Sequence, residues 1–373
     1  MLDFFTSEYV LILLWVGFAA LIGINVALKK KETVIGYDGE VERYYWLFAF
    51  ITFLPIILMA ANRSWYFGDT FAYRTSFEKM PTSADELQEY LAGNTKDAGF
   101  YFLSAIFKIF ISNDPRFYFG IIALVQGLII VWFFRKYSPS YLVSVFLFVA
   151  STDYLSWMYN GIRQFLAVTI VLLAIPLFLK KKYISGIIII LLAATIHQTA
   201  LMMIPIVFLV QGDAWNKKTI IFTIMVIAAL IFLDQFTHLL EDSLSNTQYK
   251  NVMSDIEEYG NKGTNFFRVL VYSVPAIFSF VYRKSINAEA PQFVKLSANM
   301  SIVSSGIYIV SMFTSGVFIG RLPIYCSLFG YIFLPWVINI SFDEKARRNV
   351  YFSMILLYLI FYYVQVHITW GVV

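Results

Sequence analysis

A single cysteine, Cys326, excludes an internal disulfide and any cysteine-built zinc or iron–sulfur site. Charge is scarce. Asp, Glu, Lys and Arg make up 14% of the 373 residues and hydrophobic residues 59%, against roughly 25% and about 45–50% in a soluble domain, so a water-soluble globular fold is excluded. The sequence has no Gly-rich phosphate loop, no His-Glu-x-x-His, no Gly-x-Ser-x-Gly, and no Asp-x-Asp pair of the kind that holds a metal with a nucleotide sugar. Heptads, tandem repeats and low-complexity tracts are missing too. The net charge of +4 sits in short clusters between apolar runs, which gives no support for a nucleic-acid partner.

What fills the chain instead is apolar sequence. A membrane span needs about 20 mostly apolar residues to cross ~30 Å of hydrocarbon, and runs of that kind cover most of the chain from Tyr9 to Val366. The segments fall at 9–28, 44–62, 99–111, 117–134, 141–158, 162–179, 183–196, 199–211, 219–233, 267–282, 296–314, 321–340 and 350–366. The first is followed by Lys29-Lys30-Lys31 and has no basic residue ahead of it, the reverse of a cleaved signal peptide, so it reads as a span with its N-terminus outside.

Segment 99–111 is short and carries Lys108, which suits a re-entrant or interfacial helix. If it dips and returns on the outer side, the clusters Lys29–Lys31, Arg135-Lys136, Lys180–Lys182, Lys217-Lys218, Arg283-Lys284 and Arg347-Arg348 all face the cytoplasm. The expected fold is therefore an all-α polytopic membrane protein, one transmembrane domain over 1–373, with about 12 crossings and both termini outside. Loops 63–98 and 234–265 are long, acidic and extracytoplasmic, and read as lids.

Charged side chains within a span cost about 2.5–3.5 kcal/mol on insertion scales, so each needs a partner, a cavity or a task. Four groups stand out. Gly68-Asp69-Thr70-Phe71-Ala72-Tyr73 puts Asp69 and Tyr73 on one helical face, or simply caps a helix with Asp69. Tyr159-Asn160-Gly161-Ile162-Arg163-Gln164 opens a span with a guanidinium, suited either to snorkelling toward lipid headgroups or to bidentate phosphate binding. Thr195-Ile196-His197-Gln198-Thr199 interrupts the apolar stretch 183–211, which is too long for one helix without strong tilt, so a turn is expected there. His197 would then be a structural interface residue or a proton carrier. Gly316–Pro323 puts Arg321 at the start of the next span. The charge-derived threading brings Asp69, Arg163, His197 and Arg321 to the outer interface, where two arginines suit a doubly anionic group such as a lipid diphosphate.

The run Gly161-Ile162-Arg163-Gln164-Phe165-Leu166-Ala167, followed by Ile196-His197-Gln198-Thr199-Ala200-Leu201, resembles the signature of EpsG-type proteins, which belong with the Wzy-like polymerases of exopolysaccharide and O-antigen synthesis. Asp69-Thr70 with Tyr73, the Gln248-Tyr249 region and Gly320-Arg321-Leu322 also look like family features. The resemblance implies a GT-C-like, metal-independent glycosyltransferase of the bacterial cytoplasmic (inner) membrane, without a cofactor. Such an enzyme joins oligosaccharide units carried on undecaprenyl pyrophosphate to a growing polysaccharide on the outer side.

By carry-over, Arg163 and Arg321 hold the diphosphate, His197 or Asp69 is the base, and Gln164, Tyr73 and Tyr159 orient groups or contact sugar. Trp65, Tyr66, Phe67 and Trp157 offer rings for stacking on the glycan, or form an interfacial belt. A chain-length-regulating protein partner stays open, as do two other functions: a ligase that transfers a finished glycan once, and a flippase or transporter of lipid-linked glycan.

Overall fold

A computed structural model describes residues 7–37, 39–93, 96–244, 263–316 and 318–371. The fold is 76% helical, and the described residues hold one sheet, a two-stranded hairpin. Contacts divide the chain into two compact units, one of Met1–Leu201 with Ile338–Val373 and one of Met202–Val337.

Four helices are long and apolar enough to cross a membrane: Pro115–Tyr137, Ile162–Leu179, Gln292–Phe313 and Glu344–Thr369. Three bent pairs raise the number to seven when each is taken as one span. Shorter apolar helices follow the expected segments closely, as at Trp46–Ala61, Ala98–Phe110 and Tyr183–Ile196. Ala98–Phe110 has 13 residues, about 20 Å at 1.5 Å per residue, short of the ~30 Å hydrocarbon thickness.

In the first unit, Pro115–Tyr137 is the axial helix. Asp114 caps it by accepting the Arg116 N–H at 2.9 Å, Pro115 fills the first turn where no N–H partner is needed, and Arg135 and Lys136 occupy the last turn. Those last-turn cations meet a hairpin within the otherwise all-α fold: Lys29–Thr33 and Glu40–Tyr44 pair as antiparallel strands in the register Lys29↔Tyr44 to Thr33↔Glu40. Gly36 at φ 87° and Gly39 at φ 80° allow the reversal.

Arg135 donates to Glu32 at 2.7 Å and to the Tyr44 carbonyl at 2.6 Å, and the Arg43 Nε–H donates to the Lys136 carbonyl at 3.2 Å. Burial lowers the Arg43 guanidinium below its ordinary pKa. Lys180 also acts on Lys136, so three of the basic clusters gather at one end of this unit. Arg163 is in the first turn of the Ile162–Leu179 span that Lys180 follows, about 26 Å away at 1.5 Å per residue.

Segment 141–158 departs from expectation. It forms Tyr141–Ala150 and then, after Thr152 at φ 67°, the short Asp153–Trp157 helix. Thr152 in the left-handed region ends the helix, and the 10 residues before it cover only about 15 Å. The stretch 183–211 breaks at His197, whose extended backbone (φ −155°) stops Tyr183–Ile196.

The second unit is built on Gln292–Phe313, buried along most of its length, with Lys217–Ile231 and Phe266–Val281 among its neighbours. Asn299 Nδ2 donates to the carbonyls of Val210 and Asp213, which fixes the turn before Lys217–Ile231. Leu233–Leu239 folds back by 104° from that helix, so a helix begins the loop expected as the second lid. The acidic Asp255, Glu257 and Glu258 of that loop lie outside the described residues.

Candidate functional site

The site is assembled from turns in the first unit. Gly68 takes φ 51°, a conformation open to glycine, and the following Asp69 N–H donates to Asn160 Oδ1 at 2.7 Å. A Cβ on Gly68 would lie 2.2 Å from that same oxygen. The first polar group is thereby docked on the second. Asp69 occupies the N-cap position of Thr70–Glu78, but its side chain makes no capping hydrogen bond and the residue is exposed. The carboxylate is not consumed in holding the helix.

Lys108 anchors the other end of Thr70–Glu78. Its ammonium donates to the carbonyls of Phe77 at 3.0 Å, Glu78 at 2.8 Å and Met80 at 2.7 Å. Three carbonyls freed by a helix C-terminus meet one cation, which satisfies both the orphan acceptors and the dipole. The lysine that marked Ala98–Phe110 as unsuited to crossing is a structural latch.

Asp97 is the residue that sequence reasoning missed. It precedes Ala98–Phe110 at φ 52°, and its side chain is 0% exposed. Gly99 packs so closely on Tyr183–Ile196 that an added Cβ would lie 2.2 Å from Thr195 Oγ1. This close approach brings Asp97 to the break at His197. Asp97 Oδ2 accepts from Arg163 Nη1 at 2.9 Å and faces His197 Nδ1 at 3.2 Å, while Oδ1 accepts the Gln198 N–H at 3.3 Å. A carboxylate oxygen accepts, so in this contact Nδ1 is the donating nitrogen of the His197 ring. The one available sequence signal was an acidic residue immediately before an apolar helix start, and that pattern is shared by ordinary N-caps.

Arg163 faces outward from this pair. Its guanidinium hydrogen-bonds Tyr73, its carbon lies 5.8 Å and 5.9 Å from the ring centres of Tyr73 and Tyr101, and its side chain is 26% exposed. Asp69, Tyr73, Phe100, Tyr101, Tyr118 and Arg163 line a cavity of about 180 Å³. The cavity is open on one side, so a ligand held at Arg163 can extend beyond it.

The sequence-derived candidates therefore divide. Asp69, Tyr73 and Arg163 share the cavity, and His197 joins them through Asp97. Gln164 is buried and donates to Thr199 Oγ1 at 3.5 Å, bridging the two motifs. Tyr159 is buried against Phe67, and burial raises its hydroxyl well above the ordinary range, so it holds its proton. Arg321 ends the short helix Ile319–Arg321 in the second unit and is exposed.

Of the four aromatics, Tyr66 is 92% exposed and Trp157 is buried. The Arg74 guanidinium sits 4.3 Å from the Trp65 ring centre. The Gln248-Tyr249 region lies outside the described residues. Among the described residues no group of three or more His, Cys, Asp or Glu converges as a metal site.

In comparison with known proteins, the model of the EpsG family matches residues 46–369. No curated protein and no solved structure matches.

Proposed function

The chain belongs to the EpsG family, and on that premise we propose that it is a polysaccharide polymerase. It transfers undecaprenyl-pyrophosphate-linked oligosaccharide units onto a growing lipid-linked glycan at the outer face of the cytoplasmic membrane. The GT-C type, twelve crossings and outward termini belong to the same proposal. The observation that carries it is Arg163, which lines a cavity beside Asp69 and Tyr73 and is held from behind by Asp97, itself in contact with His197.

In this reading Asp69 is the base, because it lines the cavity and makes no capping hydrogen bond. It takes the proton of the acceptor hydroxyl as that oxygen bonds the anomeric carbon of the donor sugar. The bond from the anomeric carbon to the diphosphate oxygen breaks, and undecaprenyl diphosphate leaves with the electron pair. Arg163 takes up the growing negative charge, with Tyr73 beside it. His197 acts through Asp97 as a positioning residue, and Gln164 ties the two motif-bearing segments together. For Arg321 the sequence resemblance is the whole of the support. The glycan extends outside the cavity, where the exposed Tyr66 ring offers a stacking face.

Purified protein in vesicles, given lipid-linked units, tests this. A ladder growing by whole repeat units supports the polymerase, and loss of the ladder in Asp69→Asn with unchanged folding supports the base. A single addition to each acceptor identifies a ligase instead. Translocation of the lipid-linked unit without any new glycosidic bond identifies a flippase.

A further inference from the structure

The charges around the cavity do not suit a dianion as they stand. Arg163 is offset by Asp97, and Asp69 adds a negative charge that no capping hydrogen bond absorbs. With these groups alone the chamber carries net negative charge, the wrong sign for a diphosphate, and the Lys108 ammonium behind Met80 is turned onto three carbonyls.

A second guanidinium stands behind the same wall: the Phe119 ring that Arg63 packs on lies 5.3 Å, centre to centre, from the ring of Tyr118. Arg63 follows Trp46–Ala61, the Phe119 ring covers it at 4.1 Å, and its Nη1 donates to the Met158 carbonyl at 2.9 Å. Its Nε and Nη2 are buried and have no hydrogen-bond partner among the described residues. The titratable groups acting on it are three phenols, those of Tyr159, Tyr73 and Tyr118, with no carboxylate among them. Tyr73 and Tyr118 line the cavity, and Tyr73 is also the hydrogen-bond partner of Arg163.

A buried cation without a counter-charge is strongly disfavoured, and an anion brought close to it relieves that penalty. Burial with no acid beside it lowers the Arg63 pKa to about 10, and the guanidinium keeps its charge at neutral pH.

We propose that Arg63 is the second positive charge of the Asp69–Tyr73–Arg163 cavity, acting across the Tyr73 and Tyr118 wall on a diphosphate held at Arg163. The inference rests on reading that cavity as a diphosphate site. It makes Arg63 an electrostatic residue that never touches the ligand, so Lys in its place serves nearly as well as Arg.

The test is the affinity of the purified full-length protein for inorganic pyrophosphate, measured by titration calorimetry in wild type, Arg63→Gln, Arg63→Met, Arg63→Lys and Arg163→Gln. Thermal unfolding midpoints establish which variants fold. Arg63→Lys keeps the charge while losing the guanidinium, so its comparison with Arg63→Gln separates charge from stapling. The expected result is roughly a tenfold loss or more in the folded neutral variants and near wild-type affinity in Arg63→Lys.

Wild-type affinity in the neutral variants, with binding lost in Arg163→Gln, overturns the role of Arg63 and leaves the cavity reading standing. An equal loss in Arg63→Lys and Arg63→Gln overturns the charge argument. Failure of both neutral variants to fold makes the charge structural and overturns it as well. Absence of saturable binding in wild type, or full binding in Arg163→Gln together with the neutral variants, overturns the cavity reading itself.

Discussion

The Asp97 carboxylate accepts a 2.9 Å hydrogen bond from Arg163, 66 positions further along the chain. Arg163 is thus presented to the cavity on a fixed stem, and the same carboxylate oxygen faces His197. The arrangement predicts that these three residues act as a unit.

Asp97→Asn removes the charge and puts an NH2 donor where one accepting oxygen stood, so at least one of the groups that Arg163, His197 and Gln198 present to Asp97 loses its acceptor. Unmet buried donors destabilise by about 1–3 kcal/mol, and a misaligned guanidinium lowers turnover on the order of 100-fold. A positioning role predicts that kcat falls while the pyrophosphate affinity of the protein is kept or rises, because Asp97 no longer competes for Arg163. His197→Ala in the Asp97→Asn background should add little, which a double-mutant cycle in kcat checks.

Lys108→Met unlatches Thr70–Glu78. Three hydrogen bonds from one ammonium end at once, and the expected loss is at least ~2 kcal/mol in unfolding stability. The helix carrying Tyr73 should then open locally. Faster amide exchange over residues 70–80, with residues 115–137 unchanged, is the expected signature.

The hairpin predicts a pH dependence. The hydrogen bond from Arg135 holds Glu32 below its usual carboxylate range, against the opposing effect of burial. A carboxylate with a depressed folded pKa contributes stability at pH values above its unfolded pKa of about 4.3, and loses it as pH falls through the folded value. Wild type should lose thermal stability relative to Glu32→Gln on moving from pH 6 to pH 3. Parallel curves for the two proteins across that window would remove Glu32 from the account.

Much of this architecture is written in local sequence. Long apolar runs announce helices, and the boundary at Ile162–Leu179 is legible because Gly161 and Lys180 flank an uninterrupted apolar stretch. The break at His197 follows from the length of the apolar stretch and the polar residues that interrupt it. The hairpin at 29–44 was hidden because its stability comes from Arg135 and Lys136, more than 90 positions away, rather than from strand-like alternation. Thr152 at φ 67° gave no signal, since threonine ordinarily avoids that region.

Within the site, the polar groups that interrupt apolar sequence were visible, and Asp69, Tyr73 and Arg163 do meet. Asp97 and Arg63 were not visible. Each is a single charge in a loop expected to be solvated, and only the close packing of Gly99 on Thr195 and of Phe119 on Arg63 reveals their burial.

The central claim is that Arg163 stabilises a lipid diphosphate leaving group at the Asp69–Tyr73 cavity. Single-turnover transfer from an undecaprenyl-diphosphate-linked unit by purified wild type and Arg163→Gln in vesicles tests it directly. The account predicts that the folded variant loses on the order of 100-fold or more in the rate of glycosidic bond formation, with the ladder of products disappearing. Transfer at the wild-type rate by folded Arg163→Gln would contradict it.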